Sequence, residues 1–400
     1  MKIRVAFILL ITLVPFLSFS QEEKKPQVSF KNGVGITHPD SLFSLNFRFR
    51  MQARAGFTTA SSDDLAVETV EARIRRMRLR FEGFMLNPKL TYYIQLSFSR
   101  GDMDWNGVDN SVYNNSPNIV RDAMIFYRAT PNFTLGFGQT KLPGNRQRVV
   151  SSGELQFPDR ALSNAFYNID RDFGLFGTYT GSASKMVYLL KGAVTTGEGR
   201  NSEISDNGLA YTGRIELLPL GAFTNKGDYF EGDLEREKTP KLSIAGGYCY
   251  NDKARRTRGT TGSDLYESRD LESVLIDVLF KYNGWALSSE YLTRSTDNPV
   301  TTSTDGKIRT VLVGHGNLYQ ASYLFKNNFE IAARFSSSVP DDNVISTQRQ
   351  FEEFAIGSTT YLRKHRVKLQ GDITYGKTSN LEANTSVNFW SPRFQIEFGI

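Results

Sequence analysis

Phe43-Ser44-Leu45-Asn46-Phe47-Arg48-Phe49-Arg50-Met51-Gln52-Ala53-Arg54-Ala55-Gly56-Phe57 alternates without a break. Every odd position is apolar, and the even positions are polar, basic or glycine. An amphipathic helix repeats its apolar residues three and four apart, so strict period two describes a strand with opposite chemistry on its two faces. At ~3.3 Å per residue the strand is also longer than the roughly five to six residues usual in globular sheets.

The same pattern extends outward from this stretch. Met77, Leu79 and Phe81 oppose Arg76, Arg78, Arg80 and Glu82, and Ile94 and Leu96 oppose Gln95 and Ser97. Val274, Ile276, Val278 and Phe280 alternate with Ser273, Leu275, Asp277 and Leu279, and Leu369 and Ile373 alternate with Gln370 and Asp372. Sixteen such segments are predicted, near 43–57, 70–85, 90–99, 119–129, 132–141, 171–180, 185–194, 208–218, 240–251, 271–282, 285–294, 315–326, 329–337, 350–362, 366–376 and 388–400. Short turns follow the even-numbered segments, at Asn87-Pro88-Lys89, Thr130-Pro131, Asn283-Gly284, Lys326-Asn327-Asn328 and Arg363-Lys364-His365. Asn-Gly is the strongest hairpin signal, because both central residues of a type I′ turn need φ > 0. Long polar loops follow the odd-numbered segments, as at 58–69, 100–118, 142–170, 295–314 and 338–349. The acidic stretch 219–239 is the exception, long where a short turn is expected.

Long loops on one rim and tight turns on the other are the asymmetry of outer-membrane barrels. A soluble sandwich alternates too, but gives no reason for arginine ladders on its polar face. The fold class expected is therefore all-β, a transmembrane antiparallel β-barrel of about 16 strands with short periplasmic turns and long external loops. Tyr282, Trp285, Tyr323, Phe325, Phe329 and Tyr361 lie near strand ends, where interfacial aromatic girdles sit. Pro392, Phe394, Ile396, Phe398 and Ile400 alternate to the end of the sequence, like the targeting strand of outer-membrane proteins.

The first twenty residues carry a different signal. Met1-Lys2-Ile3-Arg4 is a short basic start, Val5 to Phe19 is almost wholly apolar, and Ser18 and Ser20 are small residues before Gln21. This is the three-part pattern of a secretory signal peptide. The expected organisation is a leader at 1–20, a short periplasmic segment at 21–41 and the barrel at 42–400. No later apolar run approaches the ~20 residues of a membrane-spanning helix. The 48 basic and 42 acidic residues give a net +6; losing Lys2 and Arg4 leaves 46 against 42, or +4. A single cysteine, Cys249, excludes a disulfide framework and an iron–sulfur cluster. His38, His315 and His365 are too widely spaced to suggest a zinc site.

Several segments resemble the phosphate-selective porin O and P family. They are Arg76-Met77-Arg78-Leu79-Arg80-Phe81-Glu82-Gly83, Gly138-Gln139-Thr140-Lys141-Leu142-Pro143, Ser151-Ser152-Gly153-Glu154-Leu155, Arg171-Asp172-Phe173-Gly174 and Ala333-Arg334-Phe335. The resemblance runs from about Ser29 to the C-terminus and is most specific from Gly138 to Gly174. It implies a sixteen-stranded barrel, commonly a homotrimer in outer-membrane lipid, whose basic side chains line a constricted path for anions such as phosphate.

Polar-face side chains of a barrel strand point into the lumen. Arg48, Arg50 and Arg54 form one column and Arg76, Arg78 and Arg80 a second, which antiparallel pairing lays side by side. Guanidinium groups stay charged and bind phosphate oxygens through paired donors. The loop 142–170 carries Arg146 and Arg148 and is expected to fold into the lumen as a constriction, with Lys141 before it and Arg334 across the barrel. These ten residues are the expected anion pathway. Lumen acids (Glu82, Asp122, Asp277, Glu290, Glu330, Asp372 and Glu397) leave open a weakly selective general porin in which basic and acidic walls face each other. No GxSxG, Walker, GxGxxG or HExxH arrangement occurs, so no catalytic residue, metal or cofactor is expected. An outer-membrane barrel hydrolase using His315 or His365, and a closed structural barrel, are the readings from other classes. Nucleic acid is not an expected partner, because the basic residues of 73–80 alternate with apolar ones on an exported chain.

Overall fold

A computed structural model describes residues 25–99, 119–202 and 207–400. The expected leader at 1–20 and the whole of the 100–118 loop lie outside the described residues. Sixteen antiparallel strands form a closed barrel: β3 (Ser44–Thr59), β4 (Val67–Met85), β5 (Asn87–Ser97), β6 (Val120–Arg128), β7 (Phe133–Lys141), β8 (Arg171–Ala183), β9 (Met186–Thr195), β10 (Ala210–Leu218), β11 (Lys241–Arg256), β12 (Asp264–Tyr282), β13 (Trp285–Arg294), β16 (Gly314–Leu324), β17 (Phe329–Pro340), β18 (Gln350–Arg363), β19 (Val367–Asn380) and β20 (Thr385–Gly399). Each pairs with the next along the chain, and β20 returns to β3 from Arg393↔Gly56 to Gly399↔Arg50. Two short strands, β1 (Gln27–Ser29) and β2 (Val34–Thr37), form a hairpin that takes over where β20 ends, pairing Val34↔Phe47 through Thr37↔Ser44. Strand β3 therefore keeps a partner at both ends, and the N-terminal segment is part of the sheet. A small ribbon of β14 (Val300–Thr302) and β15 (Ile308–Thr310) decorates one long loop.

Outward positions of the strands carry the apolar band. Ile94, Ile125, Leu175, Ile215, Ile276, Ile373 and Phe394 are all exposed, as a face meeting lipid requires. On β12 this face runs from Val274 to Tyr282 and then changes to Glu272, Asp270 and Ser268. That change marks the membrane rim, because β12 has 19 residues and a crossing needs only about nine to eleven. Rings of Trp285, Tyr323, Phe325 and Phe329 touch in series along the opposite rim, tilted, edge-to-face and stacked in turn, with centroid separations of 4.9, 5.0 and 6.2 Å.

Turn chemistry explains two local outcomes. Asn283 and Gly284 both have positive φ (48° and 93°), the type I′ geometry that their sequence predicts. The turn expected at Asn87-Pro88-Lys89 instead falls at Leu86, with φ 64°. Met85 pairs with Asn87 across a register shift, so Pro88, which has no N–H to give a ladder, lies in an irregular stretch at the start of β5.

Candidate functional site

Two segments enter the lumen from opposite rims. The long loop 142–170 contains two short helices, α1 (Arg146–Val149) and α2 (Leu162–Tyr167), and is drawn inward by apolar residues. Leu142, Tyr167 and Ile169 pack against Cys249, Leu275 and Leu292 on inward positions of β11–β13. Phe157 packs against Ala332 and Ala355 of β17 and β18, with the Arg334 guanidinium 4.4 Å from its ring centroid. Full burial of each such large side chain contributes about 1.5–3 kcal/mol relative to exposure. Polar contacts span the barrel: Gln52 donates to Ser152 O (3.0 Å), Asn145 to Glu290 (2.7 Å), Arg334 to Asp159 O (2.9 Å) and Lys368 to Leu155 O (2.6 Å).

The second segment, 219–240, comes from the short-turn rim. Phe223 packs on Leu218 and Leu279. The Lys281 ammonium, fully buried, donates to the carbonyls of Gly227 (2.7 Å), Phe230 (2.7 Å) and Gly232. Gly232 (φ +72°) lies so close to the wall that a Cβ would come within 2.8 Å of Glu330 Oε1.

Around these inserts the β10–β13 side of the lumen is filled, and its charged side chains are buried. Arg146 reaches Asp277 (3.1 Å) and Ser243 (2.7 Å), Arg214 reaches Glu216 (2.8 Å) and Asp277 (2.6 Å), and Lys191 reaches Glu216 (2.6 Å). Arg214, Glu216 and Asp277 have no exposed side-chain surface. Interior ion pairs hold only when each charge is matched, and these are.

The β3–β7 side is open. A cavity of about 530 Å³ is lined by Arg78, Arg80, Tyr93, Lys141 and Arg171, and continues into a smaller one lined by Arg48, Arg50, Glu154, His365 and Arg366. Together their walls hold seven arginine and lysine side chains against four acids, Glu82, Asp122, Glu154 and Glu397, a formal excess of three positive charges. The β3–β4 register sets Arg48 opposite Arg80 and Arg50 opposite Arg78. Ser152 at the tip of the 142–170 loop relieves the second pair, its Oγ accepting from Arg50 (2.9 Å) and Arg78 (3.0 Å). Gly153 permits this approach, since a Cβ there would lie 2.0 Å from Arg50 Nη1. Arg80 pairs with Glu82 and lies 4.7 Å from the Tyr93 ring centroid, and Arg171 grips Asp122 through two bonds. Arg48 makes no hydrogen bond or ion pair among the described residues.

Five of the ten sequence-predicted pathway residues, Arg48, Arg50, Arg78, Arg80 and Lys141, line this cavity. Lys141 also donates to Val149 O (2.9 Å) and Val150 O (3.1 Å), fastening α1. Arg54 and Arg76 instead converge with Arg75 on Asp159, at 2.8, 2.9 and 3.1 Å respectively. Burial alone would raise the Asp159 carboxyl, but Arg76, Arg75 and Arg54 hold it well below the usual carboxylate range. The ladder pairs Gln52 with Arg76 and Ala53 with Ile74, so Arg75 is the extra residue of a bulge and strict alternation fails there. Arg146, Arg148 (on Asp170) and Arg334 (on Glu353, 3.3 Å) are tied into the folded loop and do not line the cavity. Arg171, Tyr93 and Arg366 complete the wall without having been expected; the ladder partner of Lys141 is Arg171, a signal that register alone carries.

Residues 46–350 match the family described as phosphate-selective porin O and P. The chain belongs to that family. As a phosphate-selective porin O and P member it is an outer-membrane channel protein, and its barrel is similar to several solved porins. The outer membrane channel DcaP of Acinetobacter baumannii is 11% identical with a TM-score of 0.54, covering 90% of this chain and 97% of that one. An anion-selective porin from Comamonas acidovorans is 11% identical with a TM-score of 0.53, covering 90% and 100%. OprB of Pseudomonas putida is 11% identical with a TM-score of 0.55, covering 90% and 95%. No curated protein sequence matches the chain. At these identities the likeness to solved porins is one of fold, and the channel assignment comes from the family.

Proposed function

We propose that this porin conducts small anions preferentially, along the β3–β7 wall and past a constriction made by the 142–170 loop. The observation carrying this reading is the formal excess of three positive charges around the open cavity, with Arg48 unpaired within it. Fixed charge in a narrow lumen lowers the barrier for counter-ions and raises it for co-ions. Glu216 and Asp277 of the other half are bound to Arg146, Arg214 and Lys191 and add little cation-attracting field to the path. Guanidinium forks at Arg48 and Arg50 suit oxyanions, phosphate among them. The mature chain is exported through cleavage after Ser20 and assembles as a homotrimer; the leader pattern supports the first and the family the second.

The test is the reversal potential of single channels under a potassium chloride gradient. A chloride-selective sign, with chloride current reduced by added phosphate, is the expected result. Zero reversal potential and indifference to phosphate would favour a weakly selective general porin. One observation supports that second reading: Arg80, Arg171 and Arg393 are each matched to a carboxylate, on Glu82, Asp122 and Asp372.

A further inference from the structure

Periplasmic turns in barrels are short because nothing but strand reversal is asked of them. Residues 219–240 break that rule, and their contacts show what the extra length reaches. Glu231 lies where this segment meets the 142–170 loop. Its backbone N–H donates to Glu154 O (2.9 Å), and its carboxylate accepts from Gln147 Nε2 (3.1 Å) and from the Gln156 N–H (2.8 Å). Its carbonyl is 3.1 Å from His365 Nε2. Four contacts from three groups of one residue thus join the tip of one insert to the other and to the β18–β19 turn. Behind Glu231, Lys281 binds three carbonyls of the segment, and Arg146 donates to Asp228 O (3.1 Å).

We infer that 219–240 is the second half of the constriction, a fixed insert that sets pore cross-section and selectivity by closing the β10–β13 side of the lumen, with Glu231 as the positioning residue that holds the 142–170 loop against the basic wall. This rests on the porin reading above. Without the segment, Lys281 loses its three carbonyl acceptors and the interior beside Glu216, Asp277 and Glu330 opens. That side carries Lys191, Arg214 and Lys281 against Glu216, Asp277, Glu290 and Glu330, so these groups give it no positive excess. Conduction there would run in parallel with the basic path and dilute its selectivity.

The decisive experiment is single-channel recording of a protein in which 221–240 is replaced by Asn-Gly. Extending the β10–β11 register from Leu217↔Ile244 brings Leu220 opposite Lys241, so a two-residue turn closes the hairpin. Conductance should rise about twofold or more, and the chloride-to-potassium permeability ratio should move toward one. A folded barrel, shown by heat-modifiable migration, that keeps wild-type conductance and permeability ratio would overturn the inference. Should that variant not fold, Glu231→Ala decides: conductance should rise about 1.3-fold with added open-channel noise, and Glu231→Gln, which keeps the backbone bonds and one acceptor, should restore quiet wild-type current. Identical traces for wild type and Glu231→Ala would also overturn it. A wild-type channel without anion preference would remove the functional reading, whereas the conductance changes would still report on the insert.

Discussion

Strands β3 and β4 turn Arg48, Arg50, Arg78 and Arg80 toward an open cavity, whereas β10–β13 turn Arg214, Glu216, Asp277 and Glu290 toward a filled interior. Both walls obey the same alternation and both are densely charged. What separates them is the remainder of the inward face. Leu271, Leu275, Leu279 and Leu292 occupy inward positions of β12 and β13, giving the inserts apolar surface to cover, while β3–β5 offer arginine, glutamine and tyrosine. Charge on a barrel strand therefore does not by itself make a conducting surface. Water reaches the charges only where no apolar neighbour invites a loop to cover them.

Removing one charge from the filled half should give the largest effect, on stability. Arg214→Ala leaves Asp277 and Glu216 short of a partner, and breaking a buried pair from one side costs about 3–5 kcal/mol. Urea unfolding of the refolded barrel in detergent should show that loss, while any surviving channels keep the wild-type permeability ratio. A stable Arg214→Ala barrel with altered selectivity would mean that the β10–β13 side conducts.

The open half should respond in the opposite way. Arg78→Glu with Arg80→Glu changes the charge of the wall by −4, turning its formal excess of three positive charges into a deficit of one. Anion preference should invert, by about tenfold in permeability ratio, with stability little changed because lumen substitutions tune selectivity. The reversal potential measures this directly; an unchanged sign would place the ion path elsewhere.

Sequence made the wall easier to read than the filling. Period two locates all sixteen barrel strands, including β8 and β10, because one face of each must meet lipid and the other cannot. Arginine columns on β3 and β4 follow from the same periodicity, save where the doublet Arg75-Arg76 takes a bulge. Segment 219–240 was legible only as an anomaly of length. Its acidic composition suggests solvent, yet its anchoring is through backbone carbonyls to Lys281, and carbonyls leave no mark on a sequence. A usable sign was present at Leu275 and Leu279, two leucines on the polar face of β12 that have no place in a wet lumen. The free state of Arg48 against the locked states of Arg54 and Arg76 depends on where Asp159 falls in space, which residue spacing does not encode.

That difference within a single column predicts a smaller effect. Arg48→Ala removes an unpaired cation and should lower the chloride-to-potassium permeability ratio about two- to threefold without loss of stability. Arg54→Ala removes a cation already matched by Glu71 (2.8 Å) and Asp159 (2.8 Å), so its permeability ratio should stay near wild type. Equal effects from the two would erase the distinction between free and fixed arginines.

The smallest expected effect is a titration confined to the open half. Burial pushes the Glu154 carboxyl above its ordinary 4.5, against the pull of Arg48, Arg50, Arg80 and Lys141. His365, which shares the cavity, is held well below its usual range by burial and by Lys368 and Lys281, so it is neutral at pH 7. The arginines remain charged throughout. On acidification, proton uptake by Glu154, which sets in at a higher pH than for an ordinary carboxyl, removes one of the four wall acids and raises the formal positive excess from three to four. Anion preference should therefore increase modestly on acidification and fall back as the pH rises. Glu154→Gln fixes the neutral state, so it should show the low-pH permeability ratio at neutral pH and a flatter pH profile. The same slope in wild type and Glu154→Gln would assign the titration to another group.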